Sequence, residues 1–225
     1  MMQPMTARTR IKICGLTREA DVDAAVEAGA DALGFVLWPG SARHVSAARA
    51  AALARRLPPF VTPVLLFVNA SAAELSAGLD AIPHALLQFH GDETPAQCRQ
   101  PGRAYIRAAR MAAGFDLLDF AGRFGDSQAL LLDAHVAGYG GAGKVFDWSM
   151  LQGSAVRVGL PLVLSGGLNP ANVIDGITQV QPCAVDVSSG VEISKGVKDA
   201  TLMRQFCKAV RAADQAADEL LAKTG

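Results

Sequence analysis

Two side chains suited to proton transfer stand at the ends of strand-like runs. The run "IKIC" (11–14) ends on Cys14 and is followed by a glycine, although glycine is a poor strand former. A thiol whose pKa is lowered from its reference value of ~8.5 can serve as a base or a nucleophile. Asp133 lies near the end of "ALLLDA" (129–134), where a carboxyl group with a raised pKa can serve as an acid. The alternative interpretations are an inert buried cysteine and a carboxylate that caps a turn.

Two short glycine-containing segments indicate a phosphate site. Their residues are Gly166, Gly167, Ser188, Ser189 and Gly190. Such segments present backbone amides and hydroxyls that can surround a phosphate without a net positive charge. One glycine pair would fit a tight turn equally well, but two such segments favour phosphate. A third segment, "GYGGAG" (138–143), could add the amide of Gly141 or act as a cover.

Three further polar residues are candidates for ligand contacts. Arg43 follows a Gly-Ser-Ala segment and is either a surface residue or the partner of a ligand carboxylate. His90 ends the run "ALLQFH" and is either a ligand contact or a hydrogen-bonded strand end. Asp186 lies inside the apolar run "CAVDVSS", where a carboxylate needs a partner, so a structural hydrogen bond and a site role are both open.

Eight β-branched or leucine-rich runs alternate with alanine-rich amphipathic segments, which is the pattern of βα units in a parallel sheet. The predicted strands are 11–14, 32–37, 62–68, 85–90, 104–109, 129–134, 160–166 and 183–189. The predicted helices cover about 17–29, 46–57, 71–80, 94–101, 114–123, 170–179 and 199–222. We expect Thr17 to cap the first helix and Gly29 to end it.

This alternation predicts one TIM (β/α)8-barrel domain over residues 1–225, with flexible tails at 1–9 and about 220–225. The alternative is an open doubly wound sheet, but "CGLTRE" after the first strand lacks the GxGxxG pattern of dinucleotide-binding folds. Barrel active sites lie at the carboxyl ends of the strands, which is where the candidate residues fall.

Composition and charge argue against several classes of partner and ligand. The 21 basic and 21 acidic residues cancel and form no basic run, so neither nucleic acid nor an anionic membrane is an expected partner. No apolar stretch is long enough to span a bilayer and "MMQPMTARTR" lacks a signal-peptide core, so we expect a cytoplasmic protein. The four cysteines and four histidines show no zinc-type spacing, so we expect no metal.

The ordered motifs resemble phosphoribosylanthranilate isomerases of tryptophan biosynthesis. The resemblance runs from "KICGLT" through "LGFVLWPGSARHVS", "QFHGDE", "LLLDAHVAGYGGAGKVFDW" and "LSGGLNPANV" to "AVDVSSGVEISKGVKD". It implies a TIM barrel without cofactor or metal that acts on a small phosphosugar. We expect a monomer or a homodimer. The implied reaction is an Amadori rearrangement of N-(5'-phosphoribosyl)anthranilate to 1-(2-carboxyphenylamino)-1-deoxyribulose 5-phosphate.

The resemblance also implies residue roles. Cys14 matches the family's general base, Asp133 its general acid, and Arg43 the arginine that holds the anthranilate carboxylate. The "SGG" and "SSG" segments match its phosphate site, and His90 and Asp186 match motif positions at the barrel mouth.

Two departures from the family pattern concern binding. Ala42 replaces the proline of the usual Ser-Pro-Arg, and Ala142 replaces a Ser or Thr in the glycine segment after strand 6.

Two rival functions are less consistent with the sequence. The related histidine-pathway isomerase uses an aspartate base on strand 1, where this chain has Cys14, and a catalytically silent phosphosugar-binding barrel would lack the acid or the base.

Overall fold

Eight parallel strands close into a barrel in chain order in a computed structural model, which describes residues 8–112, 114–134, 148–151 and 158–224. The strands are β1 (Arg10–Cys14), β2 (Ala32–Val36), β3 (Thr62–Phe67), β4 (Leu86–Phe89), β5 (Tyr105–Met111), β6 (Ala129–Ala134), β7 (Leu162–Leu164) and β8 (Ala184–Val187). Closure pairs β1 with both β2 and β8. The predicted TIM barrel and its eight strands are thereby confirmed.

Helices follow the strands around the outside of the barrel. They are α1 (Glu19–Ala28), α2 (Ala47–Ala54), α3 (Ala72–Ala81), α4 (Pro95–Arg99), α5 (Leu117–Arg123), α6 (Val173–Val180) and α7 (Ala200–Thr224). A 3-10 helix, Trp148–Leu151, lies in the connection between β6 and β7. The last helix continues to Thr224, two residues beyond its predicted end. No helix in the described ranges combines the length and the apolar composition that crossing a membrane needs.

Helix α1 begins differently from its prediction. The N-cap position is Arg18, whose side chain makes no capping hydrogen bond, so the prediction that Thr17 caps the helix is wrong. The Thr17 hydroxyl instead donates to the carbonyl oxygen of Gly196 at 2.8 Å. The hydroxyl that the local pattern predicts as a helix cap therefore forms a tertiary hydrogen bond instead. The predicted end is confirmed, since Gly29 adopts a left-handed φ of 88°.

Side chains alternate between the two faces of each strand, which separates two cores. On β1, Ile11 and Ile13 pack in the main core between strands and helices. Lys12 and Cys14 are therefore on the inner face. A second core fills the barrel interior with Ile106, Ala108, Ala129, Leu131 and Val163. Nearer the carboxyl ends of the strands the interior becomes polar, with Lys12, Gln88, Asp133, Ser165 and Asp186 buried there.

A small hairpin follows β8 and completes the rim of the barrel. A 3-10 helix, Ser189–Val191, leads into β9 (Glu192–Ser194), which pairs antiparallel with β10 (Val197–Lys198). The register sets Glu192 opposite Lys198. Neither strand is predicted from the sequence, because each is only two or three residues long.

The segments after β7 and β8 approach so closely that Gly190 leaves no space for a side chain. A Cβ built on Gly190 would lie 1.9 Å from the carbonyl oxygen of Leu168. We predict that Gly190→Ala pushes the segments apart and lowers the free energy of unfolding, measured in urea, by about 1–3 kcal/mol. The control is Gly122→Ala in α5, where a Cβ would meet nothing within 4 Å. That variant should be neutral or more stable by up to about 1 kcal/mol, and equal stabilities of the two variants would contradict the prediction.

Candidate active site

Cys14 ends β1 with its thiol buried in the barrel mouth. The apolar side chains around it, called here the apolar mouth cluster, are Val36, Leu66, Val68 and Trp38. A Cβ built on Gly34 would lie 2.7 Å from Cys14 Sγ, so the glycine leaves room for the sulfur. Burial raises the pKa of the Cys14 thiol, and the ammonium of Lys12 acts against that rise. Cys14 is thus a buried thiol beside a cation.

Asp133 shares its carboxylate between the backbone and a histidine. Oδ1 accepts from the amide of Ala134 at 2.9 Å, and Oδ2 lies 3.1 Å from His90 Nε2. On the other side of the ring, His90 Nδ1 lies 3.1 Å from the amide nitrogen of Gln88. The His90 ring thereby bridges the Gln88 side chain and the Asp133 carboxyl group. His90 therefore orients the carboxyl group at the end of β6.

Arg43 is buried, so the alternative interpretation of a solvated surface residue is wrong. Its exposed fraction is 8%, and its Nε and Nη2 donate to the two carboxylate oxygens of Glu192 at 2.7 Å each. Lys198 Nζ donates to the same carboxylate at 2.8 Å. Burial opposes the ionisation of Glu192, but Arg43 and Lys198 outweigh it and hold the pKa of Glu192 below its usual value. One carboxylate thus fixes two cations at the rim.

The two predicted phosphate segments lie between the thiol and the carboxylate. Gly166 and Gly167 have left-handed φ angles of 80° and 67°, and a Cβ on Gly166 would lie 3.0 Å from Asp133 Oδ1. On the other side, the Ser188 hydroxyl donates to the carbonyl oxygen of Cys14 at 3.0 Å. The segments therefore contact both predicted proton-transfer residues. The Ser188 hydroxyl is already engaged with the protein.

Asp186 has protein partners on both of its oxygens. Lys12 Nζ donates to Oδ1 at 2.8 Å, and the Ser165 hydroxyl donates to Oδ2 at 3.2 Å. The carboxylate is 5% exposed and faces the barrel axis below the mouth. The sequence left a structural and a site role open, and the structural hydrogen bonds are present.

The structure gathers nearly all predicted site residues at one end of the barrel. Gly141 and the segment 138–143 lie outside the described residues. Three polar residues of the site, Lys12, Glu192 and Lys198, are not among those predicted from the sequence. Lys12 could have been identified from the sequence, because a charged residue two positions before Cys14 lies on the same face of the strand. Glu192 and Lys198 could not, since their pairing depends on the hairpin.

The arrangement places side chains that can donate and accept protons at the carboxyl ends of neighbouring strands. Within the part of the chain that the structure describes, no group of three or more His, Cys, Asp or Glu side chains could hold a metal ion. A closed (β/α)8 barrel with a thiol, a carboxyl group and glycine segments at the carboxyl ends of its strands has the architecture of a TIM-barrel enzyme.

Comparison with known proteins makes the assignment specific. The family model described as N-(5'phosphoribosyl)anthranilate (PRA) isomerase matches residues 11–209. The chain belongs to this family. A relative from Leptothrix cholodnii named N-(5'-phosphoribosyl)anthranilate isomerase is 68% identical over 208 residues, covering 92% of this chain and 93% of the relative. A relative of the same name from Methylibium petroleiphilum is 69% identical over 207 residues, covering 92% and 96%.

Solved structures agree with the sequence relatives. The phosphoribosyl anthranilate isomerase from Thermotoga maritima is 38% identical, with a TM-score of 0.83 over 91% of this chain and 99% of that one. A phosphoribosyl anthranilate isomerase in complex with reduced 1-(o-carboxyphenylamino)-1-deoxyribulose 5-phosphate is 36% identical, with a TM-score of 0.80 and the same coverage.

The buried charges at the rim yield a stability prediction. Glu192→Gln removes the anion shared by Arg43 and Lys198, and should lower the free energy of unfolding by about 3–5 kcal/mol at neutral pH. A carboxyl group with a depressed folded pKa stabilises above its unfolded pKa of ~4.3, and this contribution is lost as the pH falls through the folded value. The difference between wild type and variant, measured by urea unfolding, should therefore shrink below about pH 4.

A matched control separates burial from charge pairing alone. Asp23 pairs with Arg56 on the surface, where the two side chains are 43% and 42% exposed. Asp23→Asn should change the free energy of unfolding by no more than about 1 kcal/mol. A Glu192→Gln variant as stable as Asp23→Asn would show that the buried carboxylate is not needed.

Proposed function

We propose that this chain converts N-(5'-phosphoribosyl)anthranilate to 1-(2-carboxyphenylamino)-1-deoxyribulose 5-phosphate, with Asp133 as general acid and Cys14 as general base. One observation carries the proposal. In the closed barrel β6, β7, β8 and β1 are consecutive neighbours, so the carboxyl group and the thiol flank the two glycine segments. A sugar held by its phosphate at those segments would lie between an acid and a base.

The first step opens the aminofuranose ring. Protonated Asp133 donates its proton to the ring oxygen as the C1′–O bond breaks. The nitrogen lone pair forms the C1′=N bond of an iminium ion. His90, which contacts the same carboxyl group at 3.1 Å, keeps it oriented for this transfer.

The second step moves hydrogen between two carbons. The iminium makes the C2′ hydrogen acidic, and the Cys14 thiolate takes it, leaving an enolamine. The enolamine becomes the ketone as O2′ loses a proton and C1′ gains one. Asp133 regains a proton and Cys14 releases one, so the sum is an isomerisation that consumes no oxidant or reductant.

The rest of the mouth suits the two ends of this substrate. The phosphate would accept hydrogen bonds at Gly166, Gly167, Ser188, Ser189 and Gly190. Arg43 would bind the anthranilate carboxylate through Nη1, the guanidinium nitrogen that Glu192 does not engage. The apolar mouth cluster adjoins Cys14 and offers a surface for the aromatic ring. We also retain Gly141 and Asp186 as substrate-binding predictions.

The deciding experiment follows the loss of anthranilate-type fluorescence when purified protein is added to freshly made N-(5'-phosphoribosyl)anthranilate. The product is identified as the ketose by NMR, and anthranilate released by hydrolysis is quantified by chromatography. We expect ketose to form in proportion to enzyme. Loss of signal that yields only anthranilate would contradict the proposal.

The acid and base roles predict a specific pair of variants. Asp133→Asn keeps the shape but cannot deliver the proton, and Cys14→Ser replaces a thiol by a hydroxyl that scarcely ionises near neutrality. Each should lower kcat by about 10²-fold or more while thermal unfolding stays cooperative. A folded Cys14→Ser enzyme with wild-type kcat would remove the case for a thiolate base. A purely packing role would instead change the melting temperature at nearly normal kcat.

Arg43 should act mainly on binding. Arg43→Ala removes a charge-assisted contact to the substrate carboxylate, so KM should rise by about ten- to a hundredfold and more than kcat falls. An unchanged KM in a folded variant would leave Arg43 as a partner of Glu192 alone.

We further propose a cytoplasmic protein that is a monomer or a homodimer. A Thermotoga maritima phosphoribosylanthranilate isomerase, 34% identical to this chain, is described as dimeric. Analytical ultracentrifugation of the purified chain distinguishes the two states, and a larger assembly would contradict both.

A further inference from the structure

Lys12 is buried inside the barrel, where a charge is unfavourable unless it is paired. It lies two residues before Cys14 on β1, so both side chains point toward the barrel axis. Lys12 is 4% exposed, and its Nζ donates to Asp186 Oδ1 at 2.8 Å. Lys12 takes no part in the proposed acid and base steps.

The ammonium group of Lys12 and the thiol of Cys14 both adjoin Gly34. A Cβ built on Gly34, in the neighbouring strand, would be 3.1 Å from Lys12 Nζ and 2.7 Å from Cys14 Sγ. The two atoms therefore share the space that a side chain at position 34 would fill. The charge of Lys12 favours ionisation of the thiol, against the burial that raises its pKa.

We propose that Lys12 is a positioning residue that stabilises Cys14 as the thiolate, against the opposing charge of the Asp186 carboxylate to which its ammonium donates. The inference rests on the proposed function, because only the thiolate can take the C2′ proton. A cation next to a thiolate favours the ionised form. Lys12 thus acts through Cys14 and needs no contact with substrate.

Lys12 itself is a cation at this site and does not compete as the base. Burial acts to lower the pKa of Lys12, but the charges of Asp186 and Cys14 outweigh it and keep that pKa above its ordinary value. A neutral amine is therefore not the form present at neutral pH.

Other charged groups around Cys14 fix the direction of each expected effect. The Asp186 carboxylate on β8 opposes ionisation of the thiol, while Lys198 on β10 favours it. Arg43, from the segment after β2, also interacts with Cys14. Glu192 is shared by Arg43 and Lys198 and so offsets part of their charge. Among these cations Lys12 has the largest effect on the thiol and is therefore the one to remove.

The test titrates the Cys14 thiolate by its ultraviolet absorbance as a function of pH. Each protein is compared with the same protein carrying Cys14→Ser, which cancels the other three cysteines and the tyrosines. The proteins are wild type, Lys12→Met, Asp186→Asn, and Lys208→Met as the control for loss of an exposed lysine on α7. The titration uses no substrate, so it gives a result even if the isomerase assay fails.

Lys12→Met should move the Cys14 titration midpoint up by about one pH unit or more. Asp186→Asn removes the opposing anion and should move the midpoint down or leave it in place. Lys208→Met should match wild type. With substrate, the rise of kcat/KM with pH should shift upward in Lys12→Met by the same amount, since the rate follows the thiolate fraction.

Opposite shifts, or an upward shift in Lys12→Met alone, support the proposal. An unmoved midpoint in Lys12→Met overturns it, and so does an equal upward shift in both variants, which would indicate general loosening of the site. If Lys12→Met fails to fold because Asp186 is left buried without its cation, Asp186→Asn is compared with the double variant. The double variant should then titrate at the higher pH, and identical midpoints overturn the proposal.

Discussion

The pairing of β1 with β8 is the constraint on which the site depends. This contact closes the barrel and joins the first strand of the chain to the last one of the sheet. Its register sets Lys12 opposite Asp186, and two residues further along each strand the Ser188 hydroxyl donates to the Cys14 carbonyl oxygen. The proposed base is therefore fixed against one of the proposed phosphate segments by backbone pairing, before any ligand arrives.

Buried ion pairs then order the mouth around this seam. Arg107 and Glu93 form one such pair on the opposite side, where Arg107 donates to the carbonyl oxygens of Phe89 and Gly91. These contacts hold the backbone on both sides of His90. A buried pair adds little net stability over an apolar replacement, but removing one partner is strongly unfavourable. Such pairs therefore favour one arrangement of the segments over its alternatives.

Much of the fold was predictable from sequence because strand and helix periods are local properties. The eight strands, the helix end at Gly29 and the position of Cys14 on the inner rim all follow from alternation and turn residues. The Thr17 cap was wrong because its hydroxyl binds Gly196, far away in sequence. The ion pair between Arg43 and Glu192 was equally hidden, since the two residues are 149 positions apart and meet only when the barrel closes. The order of motifs along the chain identifies candidate site residues. Which residues they contact is decided only when the barrel closes.

The same geometry explains why a thiol suits the end of β1. On one side Cys14 packs against the apolar mouth cluster, where a permanently charged carboxylate would lose hydration without a partner. On the other side it meets Lys12, whose charge is already shared with Asp186. A second carboxylate here would place two anions on one ammonium. A thiol packs as a small apolar group while neutral and is a base once it has lost its proton. Position 14 therefore needs a group that is apolar when neutral and basic when ionised, and cysteine is the side chain that combines the two.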